Sequence, residues 1–129
     1  MDENRIFFKR DISWLSFNYR VLSESQNKKL PIFERIKFLS IFSSNLEEFY
    51  KIRISEYRQT IAQENNEPEL KSRAKATLYE INKEVSRQMQ DFFFIFRDEI
   101  LPELARNNII LYQGEQPIIE MHRAFIRNY

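Results

Sequence analysis

One glycine, Gly114, in a chain of 129 residues narrows the possible folds more than any other feature. Tight hairpins, bulges and phosphate-cradling loops need backbone conformations that glycine supplies at low cost. A chain almost without it is confined to long regular elements joined by few turns. The remaining punctuation is proline, at positions 31, 68, 102 and 117, and the stretches between carry apolar residues at steps of three and four. That spacing is the signature of amphipathic helices. It predicts an all-α fold, a helical bundle built on a long antiparallel hairpin. No apolar run approaches the roughly 20 residues that span a bilayer, so no transmembrane segment is expected. The balance of 43% apolar and 30% charged residues suits a water-soluble core.

From Asp11 to about Ser25, the residues Trp14, Leu15, Phe17, Val21 and Leu22 fall on one stripe, with Asp11 or Ser13 placed to cap the first turn. Gln26 to Leu30 reads as a polar turn, and Pro31 sits where a first helical turn accepts proline. A second stripe, running from Ile32, Ile36, Leu39 and Phe42 through Leu46, Phe49, Ile54, Tyr57 and Ile61, permits one helix to about Ala62. Ser43-Ser44-Asn45 interrupts it with weak helix formers, and Ser44 with Glu47, or Asn45 with Glu48, has the spacing of a capping box. This favours a break with a new helix near Asn45, an uninterrupted helix being the alternative. Gln63 to Pro68 is a loop. Beyond it Leu70, Ala74, Leu78, Ile81, Val85, Met89, Phe92 and Phe96 predict a helix of about 30 residues, ~45 Å long. It should return antiparallel, with Leu39, Phe42, Leu46, Phe49, Leu78, Ile81, Val85 and Phe92 in the seam. Pro102 ends or kinks it, and Asn107-Asn108 stops the next turn. Ile109 to Tyr112 reads as extended, Gln113 to Pro117 as a turn, and Ile118 to Tyr129 as the start of a helix left unfinished, the pattern of a fragment. The breaks divide the chain into a domain over 1–112 and a connecting segment over 113–129.

Composition also excludes chemistries. Without cysteine there are no disulfides, thiolate metal sites or thiol nucleophiles, and one histidine, His122, makes no paired-histidine metal site. His122 has no titratable neighbour spaced to orient it and reads as a surface residue. Residues 1–60 hold 11 basic and 8 acidic residues and residues 61–129 hold 9 and 11, so Lys28-Lys29 belongs to a loop and no nucleic-acid partner is expected. Glu47 and Glu48 resemble a carboxylate pair, yet adjacent helical residues diverge by about 100°, whereas Glu47 meets Lys51 one turn on. Aromatics, at 15%, exceed what a small core requires and point to surfaces that meet a partner. Phe92-Phe93-Phe94 spreads over roughly 200° of a helix, too wide for one neighbour to cover. Asn45 offers an amide donor and acceptor, the pair that reads a base edge, although spacing alone favours the helix cap. The start, MDENRIFFKR, has no signal-peptide core, which predicts a cytoplasmic chain.

The block Asp11-Ile12-Ser13-Trp14-Leu15-Ser16-Phe17-Asn18-Tyr19-Arg20-Val21-Leu22 is followed by Pro31, Glu34-Arg35 and Lys37-Phe38-Leu39. A second dense block is Ile41-Phe42-Ser43-Ser44-Asn45-Leu46-Glu47-Glu48-Phe49-Tyr50-Lys51-Ile52-Arg53. In order and spacing these resemble the start of the polyphosphate kinase family. The likeness is specific over residues 10–58 and fades to shared pattern from Gln59; Ile12 stands where leucine is usual, and Glu47 where aspartate is common. It implies the N-terminal helical domain of an enzyme several times longer, which transfers the terminal phosphate of ATP reversibly to polyphosphate. A head domain and two catalytic domains of phospholipase D-like fold would follow.

The resemblance further implies that the family's phosphorylated histidine and its Mg2+ site lie in those later domains. No catalytic or metal-binding residue is then expected here, and His122 is not that histidine. It implies, too, that this domain roofs the nucleotide and that the asparagine of the Ser-Asn-Leu-acid-Glu-Phe block, Asn45, contacts ATP. Expected partners are ATP, polyphosphate, the head and catalytic domains of the same chain, and a second subunit in a homo-oligomer. The competing reading is a structural helical module whose aromatics dock the head domain or a second subunit.

Overall fold

Helix α1 (Asp2–Glu24), helix α2 (Ile32–Ala62) and helix α3 (Pro68–Ile95) pack pairwise, each touching both others. The computed structural model describes residues 2–107, with side chains from Lys9 onward. His122 and the expectations for residues 108–129 lie outside the described residues. Cross-helix hydrogen bonds give the directions. Asp11 and Asn18 of α1, and Ser25 just past its end, meet Tyr57, Phe42 and Arg35 of α2, so one sequence rises as the other falls and the pair is antiparallel. Leu15, Tyr19 and Gln26 meet Gln88, Asp91 and Glu99, which makes α1 parallel to α3. The hairpin of α2 and α3 is therefore antiparallel, as its length and loop predict.

Its seam is the expected one. Leu39, Phe42, Leu46, Phe49, Ile81, Val85 and Phe92 are buried, and Leu78 packs partly buried against them. Phe42 lies against Phe92 with ring centroids 5.8 Å apart. Full burial of each such side chain contributes about 1.5–3 kcal/mol. Of the aromatic triplet, Phe92 is buried, Phe93 is half-buried with its ring nearly perpendicular to that of Phe92, and Phe94 is 54% exposed.

Three expectations need correction. Helix α2 does not break at Ser43–Asn45 but runs unbroken for 31 residues. Phe42, Leu46 and Phe49 flank the polar triplet on the buried side, and burying that stripe outweighs weak local propensity. Ser43 stays within the helix by donating from Oγ to the Ser40 carbonyl at 3.1 Å. Second, α1 starts at Asp2, so neither Asp11 nor Ser13 is a cap. Third, Phe17 is 59% exposed. The buried face of α1 is Asp11, Leu15, Asn18 and Leu22, continued by Ser25 in the turn after it, alternating steps of four and three with a polar residue at every seventh position.

Pro102 is not the point where the third helix ends: α3 stops at Ile95, and Pro102 lies in the helical turn that follows the next five residues. The segment Phe96–Ile100 widens into a π-turn, in which the Leu101 N–H donates to the carbonyl of Phe96, and α4 (Leu101–Arg106) continues from it. Proline has no N–H and its ring crowds the carbonyl four residues earlier, so a wider turn just before it relieves the clash. The extra residue also re-phases the helix and brings Ile100 and Leu104 into the core. Asn107 ends α4, with its N–H on the carbonyls of Glu103 and Leu104.

Candidate functional site

Asn45 lies mid-helix in α2, half-buried where α1 crosses it. It caps nothing. Its Nδ2 donates to Oδ1 of Asn18 at 3.3 Å, and Nδ2 of Asn18, a fully buried residue, donates to the main-chain carbonyl of Phe42 at 3.1 Å. An unbroken helix offers no free N–H groups at this point, so the dipole end that a helix start would have supplied is absent, and any chemistry rests on the amide itself. No donor among the described residues reaches Oδ1 of Asn45.

The turn toward the start of α1 is packed by an aromatic pair. Trp14, four residues before Asn18, stacks on Phe49, four residues after Asn45, with ring centroids 4.5 Å apart and planes 6° from parallel. Below it the Asp11 carboxylate is 2% exposed; Oδ1 faces Arg53 Nε at 2.9 Å and Oδ2 accepts from the Tyr57 hydroxyl at 2.8 Å. Burial, then the hydrogen bond to Asp11 and its charge, hold the Tyr57 hydroxyl well above its ordinary value. Arg53 also pairs with Glu56 at 3.0 Å.

On the other side of α1, the Tyr19 hydroxyl donates to Asp91 at 2.8 Å and its ring lies under the Arg87 guanidinium, 5.1 Å from the centroid. Arg87 bridges Glu84 and Asp91. Its hydrogen bond to Glu84 holds that carboxyl below the usual range. Gln88, fully buried, donates to Glu84 and to the Leu15 carbonyl.

Glu47 and Glu48 are both exposed, and Glu47 pairs with Lys51 at 3.2 Å as the one-turn spacing predicts. Lys28 and Lys29 are exposed in the loop after α1. A groove along α2, lined by residues from Tyr50 to Ala62, does not include Asn45. Among the described residues no three of His, Cys, Asp and Glu gather to hold a metal ion. None of the described helices is long and apolar enough to cross a membrane.

Sequence reasoning picked out Asn45 and passed over Asn18, Asp11 as a buried carboxylate, Arg35 and Gln88. The available signal was the seven-residue repeat of polar Asp11, Asn18 and Ser25 around Leu15 and Leu22, which an apolar-only search for stripes discards.

Long helices whose seams hold buried amides and a buried carboxylate define a helical scaffold, with one half-buried amide at the crossing of α1 and α2. The chain belongs to the polyphosphate kinase N-terminal domain family, whose model matches residues 7–112. It is 36% identical over all 129 residues to polyphosphate kinases of Klebsiella pneumoniae, Escherichia coli K12 and Vibrio cholerae. The similarity thus reaches well beyond the two dense blocks. The chain spans 18% of the length of these relatives. No solved structure matches it.

Proposed function

We propose that this chain is the nucleotide-contacting N-terminal domain of a polyphosphate kinase, in which Asn45 helps to hold the adenosine portion of ATP. The whole enzyme transfers the terminal phosphate of ATP reversibly to polyphosphate, in the cytoplasm. Residues 1–112 form the domain and 113–129 lead to the next one. The catalytic groups, the phosphorylated histidine and the Mg2+ site belong to the head and catalytic domains of the longer chain. The observation that supports Asn45 is its state where α1 crosses α2: half-buried, held by Asn18, and with its acceptor oxygen unengaged among the described residues. Its remaining N–H and its oxygen suit a ligand that both accepts and donates, as an adenine edge does.

The test is Asn45→Ala in the full-length enzyme. ATP binding should weaken by about 1–3 kcal/mol, seen mainly as a raised KM with turnover less affected, because the contact is remote from the transferred phosphate. Aspartate is a poorer probe than it would be at a helix cap, since it sets a carboxylate against Oδ1 of Asn18. An unchanged KM in a stably folded variant favours the second reading, a structural module that docks the head domain or another subunit. The large exposed apolar side chains Phe17, Phe33 and Phe94 support that reading.

A further inference from the structure

We infer that Asn18 is a positioning residue for the nucleotide, because a three-group relay from the Phe42 carbonyl through Asn18 to Asn45 fixes which end of the Asn45 amide faces outward. The inference rests on the nucleotide reading of Asn45. A main-chain carbonyl only accepts, so the Asn18 group 3.1 Å from the Phe42 oxygen is its NH2. The Asn18 oxygen is then the group that faces Asn45, and the Asn45 atom 3.3 Å from it must be a donor, Nδ2. Every polarity follows from one oxygen that cannot change roles, and Oδ1 of Asn45 is left as an outward acceptor. The relay is rigid at its source: Asn18 is fully buried, and its α1 neighbours Leu15 and Leu22 are buried on either side. Without Asn18, the Asn45 amide turns over freely and presents donor or acceptor alike. An outward acceptor suits the exocyclic amine of adenine and is mismatched to the oxygen that guanine carries at the same position.

The experiment uses the full-length enzyme with ATP and GTP as probes, and the variants Asn18→Leu, Asn45→Ala and the double variant. Leucine fills the buried space and removes both ends of the relay; Asn18→Ser, too short to span it, replaces leucine should that variant fail to fold. Loss of Asn18 should raise the ATP KM by about twofold, because a freely turning amide is competent in half of its orientations, leave kcat unchanged, and reduce the preference for ATP over GTP. In the Asn45→Ala background the Asn18 change should add nothing to KM, since it acts only through Asn45. A raised KM for Asn45→Ala with Asn18 variants at the parental KM and the parental ATP-to-GTP ratio overturns the relay alone. A parental KM for Asn45→Ala overturns the nucleotide reading beneath it. Equal effects of the Asn18 change in both backgrounds show a general structural defect and also overturn the inference.

Discussion

Buried polar side chains, more than the apolar ones, give this domain its particular form. Asp11 pairs with the Arg53 guanidinium and accepts a hydrogen bond from the Tyr57 hydroxyl, two groups one turn apart on α2. Tyr57 keeps its proton in the folded state to higher pH than its ordinary value of 10.0, first through burial and then through Asp11. Because the unfolded chain releases that proton first, the stabilisation is complete below about pH 10 and declines as pH rises toward the raised native value. Denaturant unfolding at pH 8 and at pH 11 should show this decline, and Tyr57→Phe should make it shallower. It should not abolish the decline, because Tyr19 is shifted the same way by its hydrogen bond to Asp91. At pH 8 the same substitution should lose roughly 1.5–3 kcal/mol, the worth of a hydrogen bond to a charged group. An equally steep decline in Tyr57→Phe would assign the pH response elsewhere. These partners were out of reach of the sequence, since a hydrogen bond between residues 46 positions apart leaves no local trace. Asn45 was legible as a candidate from its amide and from family likeness together, while its spacing suggested a helix cap that the unbroken α2 does not have.

At the scale of elements, the apolar stripes were readable wherever burial and periodicity agree, as in Leu39 to Phe49 and Ile81 to Phe92. They misled where local chemistry opposes tertiary packing. The serines and asparagine at 43–45 have the propensities of a helix start, yet the seam on either side keeps α2 continuous. Ser44, exposed in mid-helix, tests this directly. Ser44→Pro should destabilise the chain by about 3 kcal/mol or more, because proline removes a ladder bond and its ring strikes the preceding turn. Ser44→Ala should raise stability by roughly 0.5 kcal/mol. Denaturant midpoints with an unchanged slope would measure both. A proline tolerated without loss would revive the broken helix. Pro102 taught the opposite lesson: proline was a correct signal of irregularity, but spacing alone did not reveal that a π-turn, and not a helix end, would absorb it.

For the whole molecule, the chain spans 18% of the length of its polyphosphate kinase relatives, and the proposed reading assigns activity to a longer enzyme. The purified 129-residue chain incubated with ATP and Mg2+ should form no polyphosphate. Chain elongation that survives substitution of His122 would show that the catalytic groups are not where the family likeness puts them. The seven-residue polar repeat of α1 bears on how the bundle is put together. Asp11 meets a guanidinium and a phenol, Asn18 a carbonyl and an amide, and the Ser25 carbonyl the buried Arg35 at 2.7 Å. No two of these stations are alike, so sliding α1 by a heptad strands a carboxylate against an amide and leaves a guanidinium without its acceptor. The address of α1 is written in its stations and not in the turn that joins it to α2. A chain cut within Gln26 to Leu30 keeps that address on both pieces, which makes α1 and the remaining hairpin complementary halves for fragment reassembly.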